Sequence, residues 1–212
     1  MKKYSQNNQR GFSMIELLVA MTITLILMGL AGMVLNRALS VKSRESRRTD
    51  ALTSAQAALN VMSREISNAG YGLADSTSSI HNNGIVLADS SSTRLRIRAN
   101  VDNSNSGTTD LDEDITYYFD QATKSIVRYD PAQNPKLSYI VNRISEVTFR
   151  YYDYQGSSSI PTSSTMPSAN TGRINITVVV NLDPVQGQPN DQKVTFTSDV
   201  VLRNSNYMMN QY

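Results

Sequence analysis

The sequence predicts an α+β protein, with one long helix that begins inside a membrane and an antiparallel β-rich domain behind it. Three observations predict this. Residues 12–35 are almost wholly apolar, a stripe at helical spacing follows with no proline before Pro131, and beyond about residue 84 the apolar period falls to two.

A short basic head, from Met1 to Arg10, leads into an apolar run that opens at Phe12 and closes at Leu35. Only Ser13, Glu16, Thr22 and Thr24 are polar within it. Twenty-four residues at ~1.5 Å each reach roughly 36 Å as a helix, enough for a bilayer core of ~30 Å. An ordinary secretory signal has a shorter apolar core followed by a small-residue cleavage site. Here the candidate cut, after Gly11, precedes the apolar run, so the run stays in the product.

Glu16 is the informative residue of this segment. A carboxylate at mid-bilayer is penalised by roughly 2.5–3.5 kcal/mol, and by less near a helix end. Cleavage after Gly11 would create an amine at Phe12, one helical turn from Glu16, able to pair with it within a chain or between packed chains. The competing reading is a plain anchor with a tolerated acid.

Leu52, Ala55, Leu59, Met62, Ile66 and Ala69 recur at three- and four-residue steps, a single apolar stripe. Gly70 and Gly72 supply a stop. One helix from about residue 13 to 68 would measure roughly 84 Å, membrane-embedded first and half-buried on a globular domain later. A coiled-coil dimer is the competing reading, but the stripe runs for little more than two heptads and includes two alanines, which favours packing on the chain's own sheet. Gly29 and Gly32 are either close-packing points between membrane helices or places where the helix can yield.

In the β-rich part, Arg94, Arg96 and Arg98 alternate with apolar residues as a half-exposed strand. Residues 115–119 and 124–129 flank Asp120-Gln121-Ala122-Thr123 as a hairpin, and Val147, Phe149 and Tyr151 alternate next. Ile174, Ile176, Val178, Val180 and Leu182 form the clearest strand. Val194, Phe196, Ser198, Val200 and Leu202 match it, and the two are expected to pair across the loop 183–191. Polar stretches at 89–93, 102–110 and 155–172 interrupt the pattern; the last reads as a mobile surface loop. The alternating arginines suit a solvated strand face or a subunit contact better than nucleic acid.

Composition fits an extracytoplasmic domain. Of 212 residues, 40% are hydrophobic and only 18% charged, and there is no cysteine to supply a disulfide or thiolate. The formal charge of +2 includes three cations in residues 1–11, which hold no acid, so residues 12–212 carry −1. Bulk charge therefore gives no drive toward nucleic acid.

Little in the chain points to catalysis. His81 is the single histidine, so no Ser–His–acid, His–Cys or multi-histidine constellation can be built in one chain, and the protein is read as a non-enzyme with no cofactor. One weak ion site stands out. Asp102, Ser104, Ser106, Gly107 and Glu113 fall at EF-hand loop positions one, three, five, six and twelve, a candidate calcium loop. Two of these ligands are only hydroxyls and neither flank reads as helix, so a solvated acidic loop is the competing reading.

The run Arg10-Gly11-Phe12-Ser13-Met14-Ile15-Glu16-Leu17-Leu18-Val19-Ala20 resembles the prepilin motif of type IV pilins and type II secretion pseudopilins. The resemblance implies a type IV pilin fold, cleavage by prepilin peptidase between Gly11 and Phe12, N-methylation of Phe12, and an assembly role for Glu16. It divides the chain into a leader (1–11), a transmembrane or filament-core helix (12–35), an amphipathic helical half (36–69) and an extracytoplasmic β-rich domain (70–212). Charge does not settle orientation, because Arg37, Lys42, Arg44, Arg47 and Arg48 follow the span. The resemblance places the head in the cytoplasm and the domain in the periplasm, with a single pass through the bacterial inner membrane before passage into an extracellular pilus.

Arg64-Glu65-Ile66-Ser67-Asn68-Ala69-Gly70-Tyr71-Gly72 is more narrowly similar to PilW-type minor pilins, as are residues 144–153 and 195–204. That likeness implies pilus assembly or priming, twitching motility and cell adhesion. The implied partners are the major pilin, other minor pilins, a tip adhesin and the inner-membrane assembly platform. A J-type pseudopilin of type II secretion shares the architecture. A pilus subunit whose own domain binds a surface or DNA is the third reading.

Overall fold

The computed structural model describes residues 12–73, 83–102, 107–155, 160–182 and 192–209. Helix α1 spans Met14–Ser67, followed by a 3-10 turn at Leu87–Asp89 and the strands β1 (Arg94–Arg98), β2 (Asp114–Asp120), β3 (Ser125–Tyr129) and β4 (Leu137–Val141). Then come β5 (Ile144–Asp153), β6 (Thr162–Ser164), β7 (Thr171–Asn181), β8 (Lys193–Val201) and a last turn of helix, α2 (Asn206–Met209). The molecule divides into two compact units, Met1–Ser46 and Arg47–Tyr212.

The described part of the first unit is helical and its apolar side chains are exposed, from Phe12 through Leu35 to Val41. One 18-residue window of α1 has mean hydropathy 2.4, the character of a membrane span. Its two threonines return their hydroxyls to the helix itself. Thr22 Oγ1 donates to the Val19 carbonyl at 2.8 Å and Thr24 Oγ1 to the Ala20 carbonyl at 2.7 Å, so neither needs water inside hydrocarbon.

In the second unit, the strands of the described residues pair antiparallel in two four-stranded sheets, ordered β1-β2-β3-β4 and β6-β5-β7-β8. One core joins them. Ala51, Ala55, Ala58, Leu59, Met62 and Ile66 of α1 are buried with Leu95, Ile97 and Tyr117 of the first sheet and Phe149, Tyr151, Ile174 and Ile176 of the second. The stripe is as expected except at its start, where Leu52 is only half-buried and Ala51 takes its place. Ala51 stands one turn before Ala55 and so shares its face, whereas Leu52 lies at the edge.

The expected hairpin forms as β2 and β3, with Asp120 opposite Ser125. Asp120 holds the turn, its Oδ1 accepting the Ala122 N–H at 3.0 Å and its Oδ2 the Thr123 hydroxyl at 2.7 Å. Those bonds also hold its carboxyl below the usual range. Strand β3 opens one residue later than expected because Lys124 has a φ of 51° and belongs to the turn. Strands β7 and β8 pair along their length as expected, with Ile176 opposite Ser198 and Val178 opposite Phe196.

Two strands lie where none was expected. β4 (Leu-Ser-Tyr-Ile-Val) is a half-exposed edge, and β6 lies inside the stretch read as a mobile loop. Thr162, Ser163 and Ser164 pair with Asp153, Tyr152 and Tyr151. A strand without apolar alternation leaves no period-two signal. The same stretch is tied down further by Asn83, whose Nδ2 donates to the Ser168 and Thr171 carbonyls at 3.0 and 3.1 Å.

Candidate functional site

The first candidate is the head of α1. Gly11 lies outside the described residues; Phe12, Ser13 and Glu16 are within them. Helix α1 begins at Met14, so Ser13 is its N-cap and Glu16 the third residue of its first turn. The Ser13 N–H donates to Glu16 Oε2 at 3.0 Å, and the Ile15 N–H donates to Ser13 Oγ at 3.4 Å. This is a capping box, in which Ser and Glu satisfy backbone donors that the helix cannot. A negative charge at this end also complements the helix dipole. The carboxylate thus does local work beside the residue that the proposed cut would make the new terminus. The Ser-x-x-Glu spacing carried this signal in the sequence, although it was read there only for charge.

The second candidate is the acidic loop. Carboxylate oxygens of Asp102, Asp110 and Glu113 lie within 4.8 Å of one another. The EF-hand spacing anticipated Asp102 and Glu113, but Asp110 joins them from outside that pattern. Ser104 and Ser106 lie outside the described residues, and Gly107 is described in a bend. Glu113 is buried, and its two oxygens accept the Val101 N–H at 3.0 Å and the Asp110 N–H at 3.2 Å. The flanks are β1 and β2, not the helices of an EF-hand.

The arginine row of β1 is the third. Its residues do share one face, but Arg96 and Arg98 are ion-paired there instead of standing as a bare basic stripe. Arg96 Nη2 meets Asp114 at 2.7 Å and its Nη1 meets Asp89; Arg98 Nε meets Asp114 at 3.1 Å. The Arg94 guanidinium lies 5.7 Å from the Tyr118 ring centroid. With two of its three cations held by carboxylates, the row is a poor reader of phosphates. His81 lies outside the described residues.

A fourth cluster escaped the sequence reading. Glu65, on the last turns of α1, accepts hydrogen bonds from the Tyr117 hydroxyl of β2 and from Arg128 Nε of β3 at 3.1 Å. Arg128 also pairs with Asp112 and, at 3.6 Å, with the fully buried Asp130. Beside it, a cleft of about 180 Å³ is floored by Ile97, Ala99 and Ile115 and rimmed by Arg64, Glu65 and Arg98. Sequence spacing could not have joined Glu65 to Arg128, 63 residues apart.

Burial, and then the neighbouring Glu65, push the Tyr117 phenol well above its ordinary 10.0. The folded state therefore holds this proton more tightly than the unfolded chain does. The associated stability is complete below pH 10.0 and is lost as pH rises past it. Tyr117→Phe is expected to reduce the loss of stability between about pH 9 and 11, read from denaturant midpoints. Burial pushes the Tyr151 phenol in the same direction, so some alkaline sensitivity should remain in that variant.

An apolar helix with a capped, acidic first turn and an antiparallel domain behind it has the architecture of a type IV pilin fold. In a comparison with protein-family models, residues 6–32 match the prokaryotic N-terminal methylation motif. Neither curated proteins nor solved structures gave a match. The motif supports a type IV pilin-like or pseudopilin protein anchored in a membrane, and implies cleavage by prepilin peptidase and interaction with other pilins.

Proposed function

We propose that the chain is a minor pilin of the PilW type, cleaved after Gly11, methylated at Phe12 and used to prime type IV pilus assembly from a place at or near the tip. Before assembly it spans the inner membrane once, with the head in the cytoplasm and the β-rich domain in the periplasm. In the filament, residues 12–35 leave the bilayer and pack among the helices of neighbours. The observation that carries the reading is the helix head, where Glu16 is the only acid of a span whose side chains are otherwise apolar, hydroxyl or hydrogen. Its charge is expected to meet the Phe12 amine of an adjacent subunit, as an acid packed in a filament core needs a partner. The choice of minor pilin rests on the similarity of residues 64–72.

Two substitutions separate the roles of Glu16. Glu16→Gln keeps the acceptor of the capping box but removes the charge, while Glu16→Ala removes both. Both are expected to be processed by the peptidase and to fall more than ~10-fold in sheared pili, as befits an unpaired terminal charge. Wild-type pilus incorporation of Glu16→Gln would overturn the pairing role and leave capping alone. Deleting the gene is expected to abolish piliation while protein secretion persists. The reverse pattern would assign the chain to the pseudopilins.

A further inference from the structure

Five cations, Arg37, Lys42, Arg44, Arg47 and Arg48, follow the apolar run, against the single acid Glu45 between residues 36 and 48. Within the described residues of the first unit, Arg37, Lys42 and Arg44 make no ion pair. The contrast with the β-rich domain is marked, since Arg96, Arg98 and Arg128 are each held by carboxylates there. In the orientation proposed above, the five also lie on the exported side, against the tendency of Lys and Arg to stay in the cytoplasm. Cations kept there despite that tendency call for an anionic partner.

We infer that Arg37, Lys42 and Arg44 bind the phosphates of anionic phospholipids in the leaflet through which α1 leaves the membrane. The inference rests on the membrane-spanning reading of residues 12–35. On a helix, Arg37 stands about 3 Å beyond Leu35, inside a headgroup layer roughly 5–7 Å thick. Lys42 and Arg44 stand about 10 and 14 Å beyond it. Helical side chains tilt toward the N-terminus, which here is the membrane side, so both long stems lean back toward the headgroups. Arg37 and Arg44, seven residues apart, share one face of the helix. The remaining gap is within a Debye length of about 8 Å at physiological salt. All three side chains are at least partly open to solvent. The phosphates would hold the unassembled subunit at a fixed depth and release it when the helix is drawn into a filament.

The absence of cysteine allows a direct test with the full chain. Ser43→Cys, at an exposed position of α1, gives a single site for an environment-sensitive fluorophore. The labelled protein is placed in vesicles of phosphatidylcholine alone, or of phosphatidylcholine mixed with phosphatidylglycerol, and quenched with neutral acrylamide. Attraction of about fivefold per cation predicts at least ~3-fold less quenching in the mixed vesicles. Salt at about 1 M, where the Debye length is ~3 Å, should remove the difference. The triple variant Arg37→Gln, Lys42→Gln, Arg44→Gln should quench equally in both, with its helical signal unchanged because Gln is a good helix former.

Flotation with both vesicles but equal quenching in the two would overturn the inference while leaving the membrane reading intact. A lipid-charge difference retained by the triple variant would overturn it as well. Protection that is equal in both vesicles and grows with the protein-to-lipid ratio would assign the cations to acids of neighbouring chains instead. Failure to float with either vesicle would overturn the membrane reading itself.

Discussion

Gly84→Ala is expected to destabilise the β-rich domain by at least ~3 kcal/mol. Gly84 has a φ of 71°, and a Cβ built there would meet Gly70 N at 2.0 Å, the Arg98 carbonyl oxygen at 2.5 Å and Ala69 C at 2.7 Å. All three are backbone atoms, so no side chain can swing aside. The position is also a hydrogen-bonded junction. The Arg98 N–H donates to the Gly84 carbonyl at 2.8 Å, and the Gly70 N–H donates to the Arg98 carbonyl at 2.8 Å. Strand β1 is therefore clamped between Gly84 and the chain leaving α1. Moving any one of these segments by the ångström that a methyl demands breaks a bond to another. Gly32→Ala is the matched control, since nothing lies within 4 Å of a Cβ there. It should leave the domain's stability unchanged and favour the helix by up to ~1 kcal/mol in water. Thermal or denaturant unfolding of the two variants checks both statements. A loss below ~1 kcal/mol for Gly84→Ala would mean that the junction yields easily.

The helix was legible in the sequence almost to its ends, and for physical reasons. Its apolar content, the three-four stripe and the stop at Gly70 and Gly72, with φ of 82° and 65°, are all local signals. The expected 13–68 differs from Met14–Ser67 by one residue at each end. Strands with inward Val, Ile and Phe at every second position, such as β7 and β8, were equally legible. What could not be read was what depends on distant pairing. The strand order, the division into two sheets, β6 with its Thr-Ser-Ser sequence, and the tie of Asn83 to Ser168 across 85 residues all arise only once the chain has folded. At the candidate site the division is similar. Phe12 and Glu16 form a local motif and were found. The Asp102–Glu113 loop was found by spacing, but with Asp110 unforeseen as the third carboxylate. Asp114, 16 residues from Arg98 in sequence, proves to pair with both Arg96 and Arg98, and Asp89 also holds Arg96.

The same limit explains why Arg128 looked like an ordinary strand residue, although it is the second site where a single change should be severe. Its side chain is 9% exposed and stands between Glu65 of α1, Asp112 before β2 and Asp130 after β3. Asp130 is completely buried. Its Oδ1 accepts the Ala132 N–H at 2.9 Å and its Oδ2 the Asp112 N–H at 2.9 Å, so it cannot turn away toward water. Arg128→Met preserves much of the stem but strands that carboxylate and removes a partner from Glu65. Breaking a buried pair from one side costs about 3–5 kcal/mol, and that is the loss expected here. Glu65→Gln should cost less, because an amide oxygen can still accept from Tyr117 and Arg128 while Arg128 keeps two carboxylates. Arg128→Lys should fall between them, since an ammonium cannot reproduce the fork that reaches three elements. Because Glu65 is the charged tie from α1 to the first sheet, Arg128→Met should also loosen the helix end. Faster hydrogen exchange at residues 62–67, with exchange in β7 and β8 less affected, is the expected signature. Uniform acceleration across both sheets would instead make Arg128 a support for the whole core and not a local tie between helix and sheet.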